Sequence, residues 1–276
     1  MNEIDERVNR HYGWSGLKET IEQEIRAKGI DPARVTVDEL APVDNYHWHR
    51  LAGTLALARA AAITAEDNVL DVGGGIGGPA RQLAHRLGCR VTVVDLTAEY
   101  CAVGETLTAW TNLEDRVSFV CANALAMPFP DGSFDVAWTQ HASMNIADKA
   151  GLYREMARVV RVGGRLAFFD VLAGPSQPIH FPVPWASDPS FNFLLTPDET
   201  RALIARSGFR EVAWLTGEDL DAELDRPEPQ GDEPSSNPPL NPGLLNGPDS
   251  PQMGANVGRN SEEGRILPVL GVYERI

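Results

Sequence analysis

From Asn68 onward, short β-branched runs alternate with stretches whose apolar residues recur every three or four positions. Val69 and Leu70 run into Asp71 and a set of glycines. Ala80, Leu83, Ala84 and Leu87 then fall at i, i+3, i+4 and i+7, the spacing of one helical face. Arg90–Val94 predicts a second strand that ends in Asp95, a helix follows to about Trp110, and Val117–Cys121 predicts a third strand. The Asp131-Gly132 turn leads into a fourth strand at Phe134–Trp138. Leu152, Met156, Val159 and Val160 share one face of a helix over 148–160, and after the Gly163-Gly164 break Arg165–Phe169 reads as a fifth strand. Thr196 with Glu199 three residues on makes a capping box, Pro197 takes the first helical position and Gly208 supplies the stop. Phe209–Thr216 and Leu267–Tyr273 read as strands six and seven. Strands alternating with helices predict an α/β fold with a parallel sheet covered on both faces.

The flanks differ from this rhythm. Residues 1–64 read as a helical cap or lid, with Leu17, Ile21 and Ile25 at helix spacing and a second apolar stretch from Leu51 through Ala62. Between them lie Pro32, Pro42 and a cluster of Tyr46, His47, Trp48 and His49, dense in polar aromatics for a connector. Tyr12 and Trp14 join them as lid candidates. The main domain is then 65–276. Within it, Arg226–Pro251 holds eight of the chain's 20 prolines, which predicts a mobile surface insertion between strands six and seven.

Composition narrows the partners. The 276 residues suit one α/β core with appended elements. Lys and Arg number 24 against 39 Asp and Glu, a net charge of −15, which repels nucleic acid and anionic membrane surfaces. No long uncharged apolar run suggests membrane insertion. The three cysteines, Cys89, Cys101 and Cys121, lack zinc or redox-pair spacing and fit small buried side chains, and the first ten residues are unlike a secretion signal. A reducing cytoplasm is the expected compartment.

The chemistry concentrates at Asp71-Val72-Gly73-Gly74-Gly75-Ile76-Gly77-Gly78, between the first strand and its helix. Gly73, Gly75 and Gly78 fit the G-x-G-x-x-G of dinucleotide folds, with Asp95 about 20 residues further on to hold ribose hydroxyls. The same stretch fits D-x-G-x-G-x-G, a loop for S-adenosylmethionine. Charge separates the two. A pyrophosphate at this turn would be opposed by an ionised Asp71 by about a kilocalorie or more at intermediate dielectric, whereas an ammonium and a sulfonium would be attracted.

On this loop, on the segment Asn123 to Asp135 and on Arg161-Val162-Gly163-Gly164-Arg165, the chain resembles the class I S-adenosylmethionine-dependent methyltransferases over roughly residues 40–220. The Gly77–Arg81 continuation and the Pro-Phe-Pro-Asp-Gly-Ser-Phe-Asp run look most like the methyltransferase type 11 group of small-molecule enzymes. The resemblance implies a Rossmann-like seven-stranded sheet of order 3-2-1-4-5-7-6 with strand 7 antiparallel. It also implies S-adenosyl-L-methionine as methyl donor. Carried over residue by residue, Asp71, Gly73, Gly75 and Gly77 would receive the methionine part and Asp95 the ribose. Leu96, Asn123 and Ala124 would meet the adenine, and Gln140 and His141 would close the cofactor side. Val162 stands where proline is common, which concerns the rigidity of the turn.

For the acceptor, His141 at the end of strand four is the expected general base or anchor. Met144, Asn145, His180, Phe181 and Trp185, with Tyr46 and His49 from the lid, are the expected substrate contacts. His47 and His49, two apart, do not share a helical face, so a metal site is not expected. The sequence does not choose among nitrogen, carbon and oxygen acceptors, and a homodimer stays open. It favours a small organic substrate in bacterial specialised metabolism. A nicotinamide-dependent oxidoreductase and a catalytically silent cofactor-binding partner subunit are the rival readings.

Overall fold

Alternating side chains of one sheet serve two hydrophobic layers. The computed structural model of the chain describes residues 16–45, 47–227, 237–241, 244 and 249–276. Its strands are β1 (Asn68–Val72), β2 (Arg90–Asp95), β3 (Val117–Cys121), β4 (Phe134–Gln140), β5 (Val160–Ala173), β6 (Phe209–Leu215) and β7 (Ile266–Arg275). They form a seven-stranded sheet of order β3-β2-β1-β4-β5-β7-β6, in which β7 runs antiparallel to both neighbours and the other pairs are parallel. This is the order and polarity that the family resemblance implied.

The helices are α1 (Leu17–Ala27), α2 (Val37–Asp44), α3 (Arg50–Ala60), α4 (Gly78–Leu87), α5 (Ala98–Trp110), α6 (Lys149–Val159), α7 (Pro197–Arg206), α8 (Glu218–Leu224) and α9 (Ser250–Glu262). Val69, Val93, Trp138, Phe169 and Leu270 face α3 and α4 on one side of the sheet. Leu70, Val94, Ala137, Phe168 and Val269 face α6 and Ile204 of α7 on the other. Adjacent residues thus go to opposite layers, as the period of two in a strand requires. Both capping boxes, Thr36 with Glu39 and Thr196 with Glu199, are formed.

Three features depart from the pattern reading. First, β5 begins at Val160 and includes the glycine pair, where the sequence suggests a break before Arg165. A Cβ on Gly164 would lie 2.6 Å from the Val160 side chain and 2.7 Å from the Asp135 carbonyl, so glycine lets the strand pass close to β4 through the register shift between Phe134 and Val136. Second, Ser250 and Pro251 open α9 and do not close a loop. Third, the described residues of the proline-rich segment are docked. Leu240 is buried among Leu17, Ile21 and Ile25, and Asn237 and Asn241 bond Glu39 and Glu24. Tyr12, Trp14 and Tyr46 lie outside the described residues, as does the rest of that segment.

The N-terminal helices are joined to the sheet domain by a buried ion pair. Arg81 of α4 contacts Asp44 at the end of α2 at 2.8 Å, with both side chains almost fully excluded from solvent. Arg81 also donates to the Gly104 carbonyl and to Thr108 of α5. Cys89 and Cys101 are buried as expected, but Cys121 is exposed. Among the described residues, no helix is long and apolar enough to cross a membrane.

Candidate active site

Strand order reverses between β1 and β4, and the crevice above that point is where ligands bind in sheets of this kind. A cavity of about 670 Å³ occupies it. Its floor is the turn after β1. Gly73 has φ 74°, and a Cβ there would lie 2.5 Å from that of Ala142. A Cβ on Gly74 would lie 2.4 Å from Asp71 Oδ2. Only bare backbone fits between the Asp71 carboxylate and the cavity.

Asp71 is 1% exposed, and its Oδ2 has no hydrogen-bond partner among the described residues. Burial, with Asp95 nearby, pushes its carboxyl up to about 7. An unpartnered buried carboxylate beneath a glycine floor suits a ligand that brings positive charge. That is the chemistry of the ammonium and sulfonium of S-adenosylmethionine, and the residues present therefore fit this cofactor. They do not fit a diphosphate, which removes support from the nicotinamide rival.

Asp95, at the end of β2, also lines the cavity. Its Oδ2 accepts from the Gly75 amide at 3.0 Å and its Oδ1 from the Thr97 amide at 2.8 Å. The Thr97 hydroxyl and the Leu96 amide also bond this carboxylate, so the loop after β2 holds it in place. Burial nevertheless holds this carboxyl above its ordinary range. Leu96, Asn123, Ala124 and Gln140 line the same cavity. Asn123 Oδ1 already accepts from the Leu125 amide at 2.8 Å, so the side chain shapes the turn as well as facing the ligand. Gly77 is not in the lining. It precedes α4 with φ 81°, and a Cβ there would meet the Phe119 ring at 2.6 Å.

At the end of β4, His141 faces the cavity with φ 53°, an unusual conformation for a side-chain-bearing residue. Both of its ring nitrogens are buried without a partner among the described residues. Burial, then the neighbouring His47, holds its pKa well below the usual value, so the ring is uncharged. Its ring lies edge-on to Phe169, with centroids 4.9 Å apart, and stacks on His47 at 5.8 Å.

His47 lines the cavity although the expected substrate contact was its neighbour His49. Its Nδ1 lies 2.9 Å from Gln140 Nε2, its Nε2 lies 3.3 Å from Thr54 Oγ1, and that hydroxyl donates to Gln140 Oε1 at 3.2 Å. This closed ring ties the lid to β4, and burial brings the His47 pKa down to about 3. Its imidazole is engaged at both nitrogens, which leaves His141 as the histidine with free acceptor capacity.

Of the remaining expected substrate contacts, Asn145 lines the cavity. Its amide also donates to the Trp185 carbonyl at 2.6 Å. The others among the described residues lie outside the lining. His49 is exposed and stacked between Trp48 and Phe169. Met144 and Trp185 are buried with Val171, Ile179 and Phe191, and Phe181 packs against that cluster. His180 pairs with Glu263 at 2.9 Å. These apolar and aromatic side chains hold the β5–α7 connection to the body, and it is Pro184 and Ser187 of that connection that face the cavity. Sequence reasoning missed Ser187, together with Asp44, Ile146, Asp148, Asp249 and Met253. The loop carrying Asn145 and Ile146 is clamped from below by the Lys149 ammonium, which donates to the carbonyls of Ser143 and Ile146.

Comparison with known proteins adds four findings. A family model described as a methyltransferase domain matches residues 70–168. The ubiquinone/menaquinone biosynthesis C-methyltransferase UbiE of Hahella chejuensis is 31% identical over 178 residues, 64% of this chain and 71% of that protein. The 27-O-demethylrifamycin SV methyltransferase of Amycolatopsis mediterranei is 37% identical over 127 residues, 46% of this chain but only 44% of that protein. Among solved structures, the geranyl diphosphate C-methyltransferase of Streptomyces coelicolor A3(2) superposes with a TM-score of 0.69 over 100% of this chain and 98% of its own, at 19% identity. That last likeness is one of fold.

Proposed function

We propose that this chain, which belongs to the class I S-adenosylmethionine-dependent methyltransferases, moves a methyl group from that cofactor to a small organic molecule of bacterial specialised metabolism in the cytoplasm. The observation that carries the reading is the buried Asp71 carboxylate beneath Gly73–Gly75 on the floor of the cavity, whose Oδ2 has no partner among the described residues. The family gives the donor, and a relative named for a rifamycin substrate supports specialised metabolism.

When bound, S-adenosylmethionine supplies an activated methyl group on a positively charged sulfur, open to in-line attack by a lone pair. Asp71 and the glycine backbone would hold its amino-acid part, Asp95 its ribose hydroxyls, and Leu96, Asn123 and Ala124 its adenine. His141, uncharged and with both nitrogens free, accepts a hydrogen bond from an acceptor N–H or O–H and takes the proton where one must leave. Residues 1–64 act as a cap, and the His47–Thr54–Gln140 ring fixes that cap against the end of β4 and keeps water from the reacting atoms.

Two measurements test this. Calorimetric titration should show binding of S-adenosylhomocysteine and none of NAD; tight NAD binding with no response to the homocysteine compound overturns the assignment. Incubation with methyl-labelled donor and a panel of amines, indoles, phenols and prenyl compounds should label at least one acceptor. A protein that binds the cofactor and labels nothing would favour the silent-partner alternative.

A further inference from the structure

The half of the cavity away from the glycine turn has a distinctive charge. Its rim is formed by exposed residues from three separate connections: Asp148 before α6, Ser187 after β5 and Asp249 before α9. Ile146, Pro184 and the buried Met253 add apolar surface to the same lining, which also includes His141. Counting Asp44, Asp71 and Asp95, five aspartates line the cavity and, among the described lining residues, there is no lysine or arginine. Two cations on bordering elements are committed elsewhere. Arg81 is locked to Asp44, and Lys149 turns its ammonium under the loop toward the Ser143 and Ile146 carbonyls.

The acidic rim does not stand alone. His141 lines this cavity, its ring nitrogens are buried without a partner among the described residues, and as an uncharged imidazole it offers a lone pair to a ligand N–H. Asp249 makes no capping hydrogen bond to α9, whereas Asp148 accepts from the Gly151 amide at 2.7 Å. At least one rim carboxylate is therefore not spent on its helix.

From this arrangement we infer that the methyl acceptor is an amine-bearing molecule with an apolar body, its positive charge met at the Asp148–Asp249 rim and its body lying along Ile146, Pro184 and Met253. Carboxylate and phosphate acceptors are repelled. The inference rests on the methyl-transfer reading of the site and narrows it to one substrate class.

The test uses the full chain saturated with S-adenosylhomocysteine, whose binding is measured first by calorimetry. The complex is then titrated at neutral pH with 4-phenylbutylamine, 4-phenylbutanol and 4-phenylbutanoate, followed by ligand-observed NMR. The amine is expected to bind at least tenfold more tightly than the carboxylate, with the alcohol between. Combining Asp148→Asn with Asp249→Asn should shrink that ratio at least threefold, because the amide that replaces Asp148 still caps α6 while the rim charge is gone. General attraction to an acidic protein would survive that double change. Equal or tighter binding of the carboxylate, a ratio unmoved in the double variant, or no binding of any probe to the loaded protein would each overturn the inference and leave the cofactor assignment standing. Failure to bind S-adenosylhomocysteine would overturn the proposed function, and this inference with it.

Discussion

Asp71 is buried with one oxygen bare, so its proton and the cofactor's positive charge compete for the same place. With the carboxyl at about 7, a cationic ligand binds the ionised form, and affinity for S-adenosylmethionine should climb as pH rises from 6 to 8. The same group works against the unliganded fold. Its folded pKa lies above the ordinary carboxyl value, so between about 4 and 7 the unfolded chain releases a proton that the folded one keeps, and stability falls as pH rises through that window. Asp71→Asn should therefore weaken the cofactor by at least tenfold, abolish the pH dependence of binding, and raise the ligand-free melting temperature at pH 8 relative to the parent. Calorimetry and thermal unfolding at two pH values check all three. An affinity independent of pH in the parent would show that Asp71 does not face the charge.

His141 yields a contrasting expectation. Its nitrogens hold no internal bond, so His141→Ala should leave homocysteine-compound affinity within a few-fold and lower turnover on a labelled acceptor by roughly 10²–10⁴ if it takes a proton. An equal loss in both would place the ring against the cofactor alone.

At the scale of elements, the part of the cavity wall that carries Pro184, Ser187 and Met253 is a seam between α9 and the β5–α7 connection. Asn260, fully buried, accepts from the His180 amide and donates to the His180 carbonyl, and Asn256 donates to the Pro182 carbonyl. Asn260→Ala would strand two buried backbone groups at a cost of about 1–3 kcal/mol. Faster hydrogen exchange at the His180 amide, with the β1–β4 amides unchanged, is the expected signature. The buried residues of α9 are Met253, Asn256 and Asn260, at i, i+3 and i+7, so its inward face is largely polar and apolar periodicity could not reveal it. The turn after β1 was legible for the opposite reason, since close backbone approach demands glycine and leaves its mark in the sequence. The aromatic run from His180 to Trp185 announced an important connection, but its large side chains serve to anchor it, and small or imino residues face the ligand. Which residue of a loop points inward depends on contacts with elements far along the chain, and local spacing carries no record of them.

Across the whole molecule, the Arg81–Asp44 pair decides whether the N-terminal helices and the sheet behave as one body. Removing one member of a fully buried pair leaves an uncompensated charge, so Arg81→Met should cost about 3–5 kcal/mol in urea unfolding. The combined change with Asp44→Leu should recover part of that loss. Full recovery is not expected, because the Gly104 carbonyl and Thr108 also lose their donor. A single-variant loss below about 1 kcal/mol would mean that water reaches the pair. The alternation of strand and helix, by contrast, made a parallel sheet covered on both faces readable, while the strand order came with the family resemblance.

Gly78 stands one step from this junction, where a Cβ would lie 2.1 Å from the Asp44 carbonyl. Position 78 and position 81 together form a mating surface that any exchange of N-terminal caps between related enzymes must preserve. A chimera that imports a foreign cap without matching both should fail at assembly, before its choice of acceptor is ever tried.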